Sequence, residues 1–464
     1  MMQPLSTSDV SYGGIPITKV KVVGGDGCFW PETCHETCHH RGVMKEREVR
    51  IMSLGLPVMH RVRAKFPRPK VEHISEVVSE ESDRILRSMR SGQRLGIAIG
   101  SRGITDIAIV AKTLVDKAKA LGLRPFLFPA MGSHGNSIAE GQAGILASFG
   151  ITEESMGAPI CPEMDTVSLG TSKSGVPIYV AKVAMEADGV LLVNRVKPHT
   201  DFHGRWESGL VKMSVIGLGK QVQAKEIHNY GTLGLRDKIP EVAEVTLAKA
   251  PIIGGIALVE NAYKELAIIK GLVKNEIMAE EPALLVRARE LMAHLPCPEM
   301  DVLVVDELGK DVSGAGLDTN IIGRMYLFGL EEPEKPKITR IAVLDLTEQT
   351  QGNAAGIGLA DITTRRVIDK IDYPSTHTNI VTSTFLLRGK LPVYFQNDKE
   401  AIAAAVRTSY TKADTCRLIR IRSTAYLEEM LVSEAALPDV RELGWEIGEP
   451  IQWDFDDQGN LSKM

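Results

Sequence analysis

Leu95-Gly-Ile-Ala-Ile-Gly-Ser-Arg-Gly103 is the stretch that decides the fold. Its first half is a short apolar run that reads as a buried strand, and Gly100-Ser-Arg-Gly103 reads as the turn after it. Apolar residues then recur at helical spacing (Ile109, Val110, Leu114, Val115, Ala118, Leu121), which predicts a helix over 105–121 closed by Gly122. Arg124-Pro-Phe-Leu-Phe-Pro129 is the next strand. Strand, turn, helix and strand at this spacing imply a parallel, right-handed crossover.

Working outward, the loop Met131-Gly-Ser-His-Gly135 precedes a helix over 138–149. Strands are expected at 166–169, 176–180, 189–193 and 252–259, with helices at 220–229 and 240–250. A further helix at 282–295 leads to a second α/β series. Its strands are 301–305, 338–346, 391–394 and 418–421, and its helices 399–409 and 424–433. The fold class is therefore α/β, with two α/β domains, mostly parallel sheets and the active site in the cleft between them. The expected division is a leader at 1–50, a catalytic domain at 51–280 and a C-terminal domain at 281–464.

Composition agrees. The 464 residues are 44% hydrophobic and 24% charged, with 5% aromatic residues against 42 glycines, so the core is aliphatic and the turns are many. A net charge of −5 argues against nucleic acid as a partner. No apolar run reaches the roughly 18 residues of a membrane span, and Pro251-Ile-Ile-Gly-Gly-Ile-Ala-Leu-Val259 reads as one buried strand. Six cysteines are too few for a disulfide framework, so a reducing, cytoplasmic setting is expected. The leader carries Cys28, Cys34, His35, Cys38, His39 and His40, enough soft ligands for zinc but in no standard spacing. The plainer reading is a mobile leader ahead of a start at Met44 or Met52.

Chemistry concentrates at the expected strand ends. Ser101, Arg102 and Gly103 suit an anion through backbone N–H groups and a guanidinium, although no complete P-loop or dinucleotide fingerprint occurs. A glycine-requiring turn is the plainer reading of the same residues. His134, His199, His203 and His228 lie in turn-rich segments with Lys197 and Lys212, a density of titratable groups that marks a site better than any lone histidine does. Asn194-Arg-Val-Lys-Pro-His-Thr-Asp-Phe-His-Gly204 delivers two histidines and an aspartate to one sheet edge. Lys212 has apolar neighbours, which would lower its pKa and make it a nucleophile; a snorkelling lysine is the alternative. His228 is a candidate metal ligand.

At these residues the sequence resembles the lactate racemase family, whose members use a nickel-pincer nucleotide. That cofactor is a pyridinium mononucleotide with thioamide and thiocarboxylate arms, tethered to a lysine. The resemblance runs from about Arg94 to Gly231 and more weakly through the C-terminal domain. It implies that Lys212 is the tether and His228, 16 residues on, the nickel ligand. It also implies that His134 and His199 are paired acid/base groups and that Ser101, Arg102 and Gly103 bind the cofactor phosphate. The implied chemistry is racemisation or epimerisation of a 2-hydroxy acid by reversible hydride transfer, with cofactor-synthesis enzymes as partners and an oligomer as an open possibility.

Two departures bear on the substrate. Ile104 stands where the family's carboxylate-clamping arginine falls. Gly316-Leu-Asp-Thr-Asn320 resembles a family turn that supplies glutamine and lysine to the substrate, but Gly323, Arg324 and Tyr326 occupy that neighbourhood. The expectation is a hydroxy acid larger than lactate, such as a sugar acid, gripped by Arg324, Thr319 and Asn320. The competing readings are a non-catalytic ligand-binding homologue and a zinc-dependent hydrolase.

Overall fold

Alternation of side chains along a strand places successive residues on opposite faces of a sheet, and the 94–99 strand uses both. Leu95, Ile97 and Ile99 enter one aliphatic core, and Ala98 enters another. The computed structural model describes residues 55–101 and 103–464, so the leader with its cysteines and the side chain of Arg102 lie outside the described residues. Strands Arg124–Pro129, Arg94–Ile99, Gly189–Arg195, Ile252–Glu260 and Leu266–Val273 form one sheet in that order, parallel except for the last pair. Helices Ile74–Leu86 and Ile107–Ala120 cover one face, and helices between Lys220 and Glu290 cover the other.

The helix Ile107–Ala120 starts two residues later than expected and buries Val110, Ala111, Leu114, Val115 and Ala118. Ile109 and Leu121, counted into its stripe by sequence, face solvent. Each fully buried aliphatic side chain in that stripe contributes about 1.5–3 kcal/mol. Gly122 follows at a φ of +73°, a left-handed value that suits the residue after a helix.

The second sheet has eight strands. Val393–Phe395, Ile362–Thr364, Lys337–Leu346, Glu299–Leu308 and Leu418–Ser423 run parallel, and Tyr426–Ser433, Met59–Arg63 and Glu446–Ile451 complete it antiparallel. The sheets are thus mostly parallel, as the α/β reading has it.

Three differences from the sequence reading have physical causes. The segment expected as a helix at 424–433 is the strand Tyr426–Ser433, folded back on Leu418–Ser423 across a two-residue turn. Its Leu427, Met430 and Leu431 fit helical spacing, but pairing with two neighbouring strands wins. The helix expected from Pro240 begins at Gly231 and runs through the proline to Lys249. The strand Met59–Arg63 joins the second sheet and not the sheet of its own N-terminal segment. The described residues form one compact unit. Among the described residues no helix is long and apolar enough to cross a membrane, and Cys161, Cys297 and Cys416 are free thiols.

Candidate active site

The carboxyl ends of the parallel strands converge on one edge, where open α/β sheets bind their ligands. The strand ending at Ile99 lies between those ending at Pro129 and Arg195. The His134 loop and the His199 loop therefore flank the Gly100–Gly103 turn, with roughly 10 Å between their parent strands at ordinary strand spacing. Gly100 is required here: a β-carbon would lie 2.6 Å from Asn194 Oδ1. Asn194 in turn donates to the Gly209 carbonyl at 2.9 Å, tying the end of its strand to the start of the lysine segment.

The loop after Arg195 is closed by paired backbone bonds between Lys197 and Ser208 (2.9 and 3.2 Å). Inside it, the buried Glu207 carboxylate accepts from His199 N at 2.6 Å and Gly204 N at 3.1 Å. Glu207 also faces His203 Nδ1 at 3.2 Å and is paired with Arg289. The His199 ring packs on Phe202 with centroids 4.5 Å apart, and its Nδ1 accepts from Asp201 N at 3.0 Å. Nδ1 also faces the Asp201 carboxylate at 3.8 Å, and Nε2 points at Lys212 Nζ, 2.5 Å away.

Lys212 closes the short helix Leu210–Lys212, and the chain then passes directly into a π-helical turn, Met213–Gly217. Such turns widen the helix and often occur at functional sites. Glu281, fully enclosed, accepts from Leu210 N at 2.5 Å and Val211 N at 3.0 Å and so holds the start of this segment. Burial raises its pKa to about 7 against the pull of those two N–H groups. Helix Lys220–His228 follows and ends in His228. Partial desolvation and then the charge of Lys212 hold the His228 pKa below its ordinary value, although the residue is exposed at the end of its helix, leaving a neutral imidazole with a lone pair to offer a metal.

The second lobe reaches this loop directly. Thr319 Oγ1 donates to the Thr200 carbonyl at 2.7 Å, Asn320 Nδ2 to the His199 carbonyl at 3.3 Å, and Arg388 to the Thr200 carbonyl at 3.0 Å and Asp201 Oδ1 at 2.5 Å. Burial pushes the Asp201 carboxyl up, but His199, Arg388 and Lys212 outweigh it and its pKa lies below the usual range.

These contacts correct the substrate-binding expectation. Thr319 is fully buried and, with Asn320, spends its side chain on the histidine loop. The Arg324 guanidinium is committed within its own lobe to Leu359 O, Ile338 O and Asp361 at 2.8–3.0 Å, so it serves as a structural lock and is not available to a substrate. Ser101 and Gly103 do not open the helix directly: three residues separate Gly103 from Ile107, and Thr105 N is held by Glu260 at 2.8 Å. Burial also draws the Lys220 amine down, to about 8.

Sequence reasoning missed Glu207, Glu281, Arg388 and Lys220. Glu207 stands four residues after His203, a spacing with a local signal. Glu281 and Arg388 meet the site only through long-range packing. Among the described residues no group of three or more His, Cys, Asp or Glu side chains is arranged to hold a metal, so a metal here would need donor atoms from a bound group as well as His228. Among the described residues, the protein-only zinc site that the hydrolase reading needs is not formed.

Residues 56–236 match the family model of the lactate racemase N-terminal domain. A lactate racemase apoprotein from Thermoanaerobacterium thermosaccharolyticum is a structural neighbour at 11% identity and a TM-score of 0.44, over 76% of this chain and 91% of that one. No curated protein matches. The N-terminal segment of the chain is thus similar to the lactate racemase N-terminal domain.

Proposed function

We propose that the protein is a nickel-pincer-dependent racemase or epimerase of a 2-hydroxy acid larger than lactate. The observation that carries the reading is the 2.5 Å contact between Lys212 Nζ and His199 Nε2 within the segment matching the family model. His228 is electrostatically coupled to the same lysine. In this reading Lys212 is the tether, His228 the single protein donor to nickel, and Ser101, Arg102 and Gly103 the residues that would bind the phosphate. When bound, the cofactor supplies an electrophilic carbon that accepts and returns hydride.

The chain's own groups handle protons. The α-hydrogen of a hydroxy acid is too weak an acid for a side chain to remove, whereas its hydroxyl proton is within reach of an imidazole. His199 and His134, on loops either side of the central turn, act as bases for the two hands of the substrate. His199 Nε2 is the nitrogen turned to the site, and it works as a base once the ring proton sits on Nδ1, which the Asp201 carboxylate faces at 3.8 Å. Phe202 fixes the ring plane, and Glu207 and the second lobe fix the loop backbone.

A larger substrate is supported by Ile104, which is buried in the core where a clamp would stand. A cavity of about 80 Å³ beside Asp201 and Arg388, lined also by Lys310, Asn379 and Ser383, gives room for a polar tail. The test is intact mass and nickel analysis of protein from a host making the cofactor, followed by chiral separation of products in deuterated water. A covalent mass on Lys212, stoichiometric nickel and inversion with the α-hydrogen retained are expected. An unmodified mass with no nickel sinks the reading, and deuterium entering the α position sinks the hydride route.

A further inference from the structure

Lys220 is fully buried yet takes no part in the chemistry above. Its Nζ donates to the Pro129 carbonyl at 2.6 Å and to Gln142 Oε1 at 3.1 Å. Gln142, also fully buried, turns its amide nitrogen to the Gly132 carbonyl at 3.0 Å and the His134 carbonyl at 3.2 Å. Three carbonyls of the segment leading to His134 thus face one buried amine, directly or through one amide.

The backbone carries the same message. Lys220 has a φ of +55°, the left-handed region that costs a residue with a β-carbon roughly 1 kcal/mol. Glycine would take that conformation freely, and the neighbouring Gly219 is not the residue that adopts it. A lysine kept in a strained, waterless position is kept for its amine. The π-helical turn closes the other side of the loop: Gly132 N donates to Gly217 O at 3.4 Å, and a β-carbon on Gly217 would strike the Ala130 carbonyl at 2.7 Å. Lys220 also begins the helix that ends at His228, so one rigid element ties the two histidines' supports together.

We propose that Lys220 is a positioning residue for His134, setting its loop through the Pro129 carbonyl and the Gln142 amide. The proposal rests on the reading of His134 as a base. Burial draws the Lys220 amine down to about 8, so it is still mostly protonated at neutral pH and its bonds are charge-assisted.

The experiment compares wild type with Lys220→Met and Gln142→Met as apoproteins, by peptide-resolved amide exchange and by diethyl pyrocarbonate modification of the exposed His134. Exchange across 131–138 is expected to quicken at least tenfold in both variants, with 94–99 and 189–195 unchanged, and the His134 modification rate to change at least threefold. Loaded enzyme is expected to lose at least tenfold in kcat with KM within twofold of wild type. Wild-type exchange at 131–138 in a folded variant overturns the proposal, and so does acceleration spread through the whole sheet, which marks a general structural role. Gln142→Met cuts the link without removing the buried amine, so it decides the matter even where Lys220→Met does not fold. The apoprotein readouts need neither substrate nor cofactor, so failure of the racemase reading leaves them standing.

Discussion

The Asp201 carboxylate lies 2.5 Å from the guanidinium of Arg388, a residue 187 positions further along the chain. Arg388 also holds the Met325 and Thr200 carbonyls, so a nearly buried cation pins the histidine loop to the second lobe. Removing one member of such a pair leaves the other charge enclosed, which costs about 3 kcal/mol. Arg388→Met should lower the urea midpoint accordingly, and Asp201→Asn in the same chain should restore part of the loss. The low Asp201 pKa contributes stability that is present above the unfolded carboxylate range and is lost as pH falls through the folded value. Acid unfolding of Arg388→Met should therefore show a shallower dependence below about pH 4. Equal slopes would mean that His199 and Lys212 alone hold Asp201 ionised.

Glu281 gives the opposite sign. Its folded pKa of about 7 is raised above the ordinary glutamate value, so its contribution is complete at low pH and lost as pH rises through about 7. The shift corresponds to something on the order of 3 kcal/mol between those limits. Glu281→Gln keeps an oxygen for Leu210 N and Val211 N without the titration. Denaturation at pH 5 and pH 8 should show wild type losing stability over that interval and the variant holding level.

His228→Ala should retain the wild-type thermal transition, because the residue is exposed at the end of its helix, while nickel content after purification with the cofactor falls at least tenfold. Lys212→Ala should lack the covalent mass altogether. Full nickel in His228→Ala would move the ligand role to another residue, with His203 the nearest alternative on the loop.

Lactate should be a poor substrate. A clamp lost at Ile104 removes a charge-assisted hydrogen bond worth roughly 2 kcal/mol, about thirtyfold in kcat/KM. A longer polyhydroxylated acid has further groups to offset it. Chiral chromatography of both acids with the loaded enzyme checks the ratio; equal kcat/KM values would show that another cation has taken over the carboxylate.

The histidine and lysine side of the candidate site was legible because its residues come in short local patterns. Pro198-His199, Lys212 and His228 sit within about 30 residues of one another on elements whose periodicity is plain. The first sheet was legible for the same reason, since Leu95, Val190 and Ile252 each head an unbroken apolar run. The substrate-facing side was not. Arg324 and Arg388 look alike in sequence, and only packing separates them: one locks its own lobe, the other reaches across to Asp201. Strand Tyr426–Ser433 was misread because its apolar spacing suits a helix until partners on either side are known.

Strand Met59–Arg63 also governs how the chain can be made. Its partners, Tyr426–Ser433 and Glu446–Ile451, lie more than 360 residues downstream, and Trp453 Nε1 donates to the Pro57 carbonyl at 2.9 Å. A nascent chain emerges from the ribosome N-terminus first at roughly 5–20 residues per second. This strand must therefore wait tens of seconds, edges unpaired, for the two partners that flank it. Closing so long a loop is entropically slow, and an idle strand invites wrong pairing. The Met59–Arg63 edge of the second sheet can close only once 426–451 has been made, so synthesis of that stretch precedes any complete second sheet.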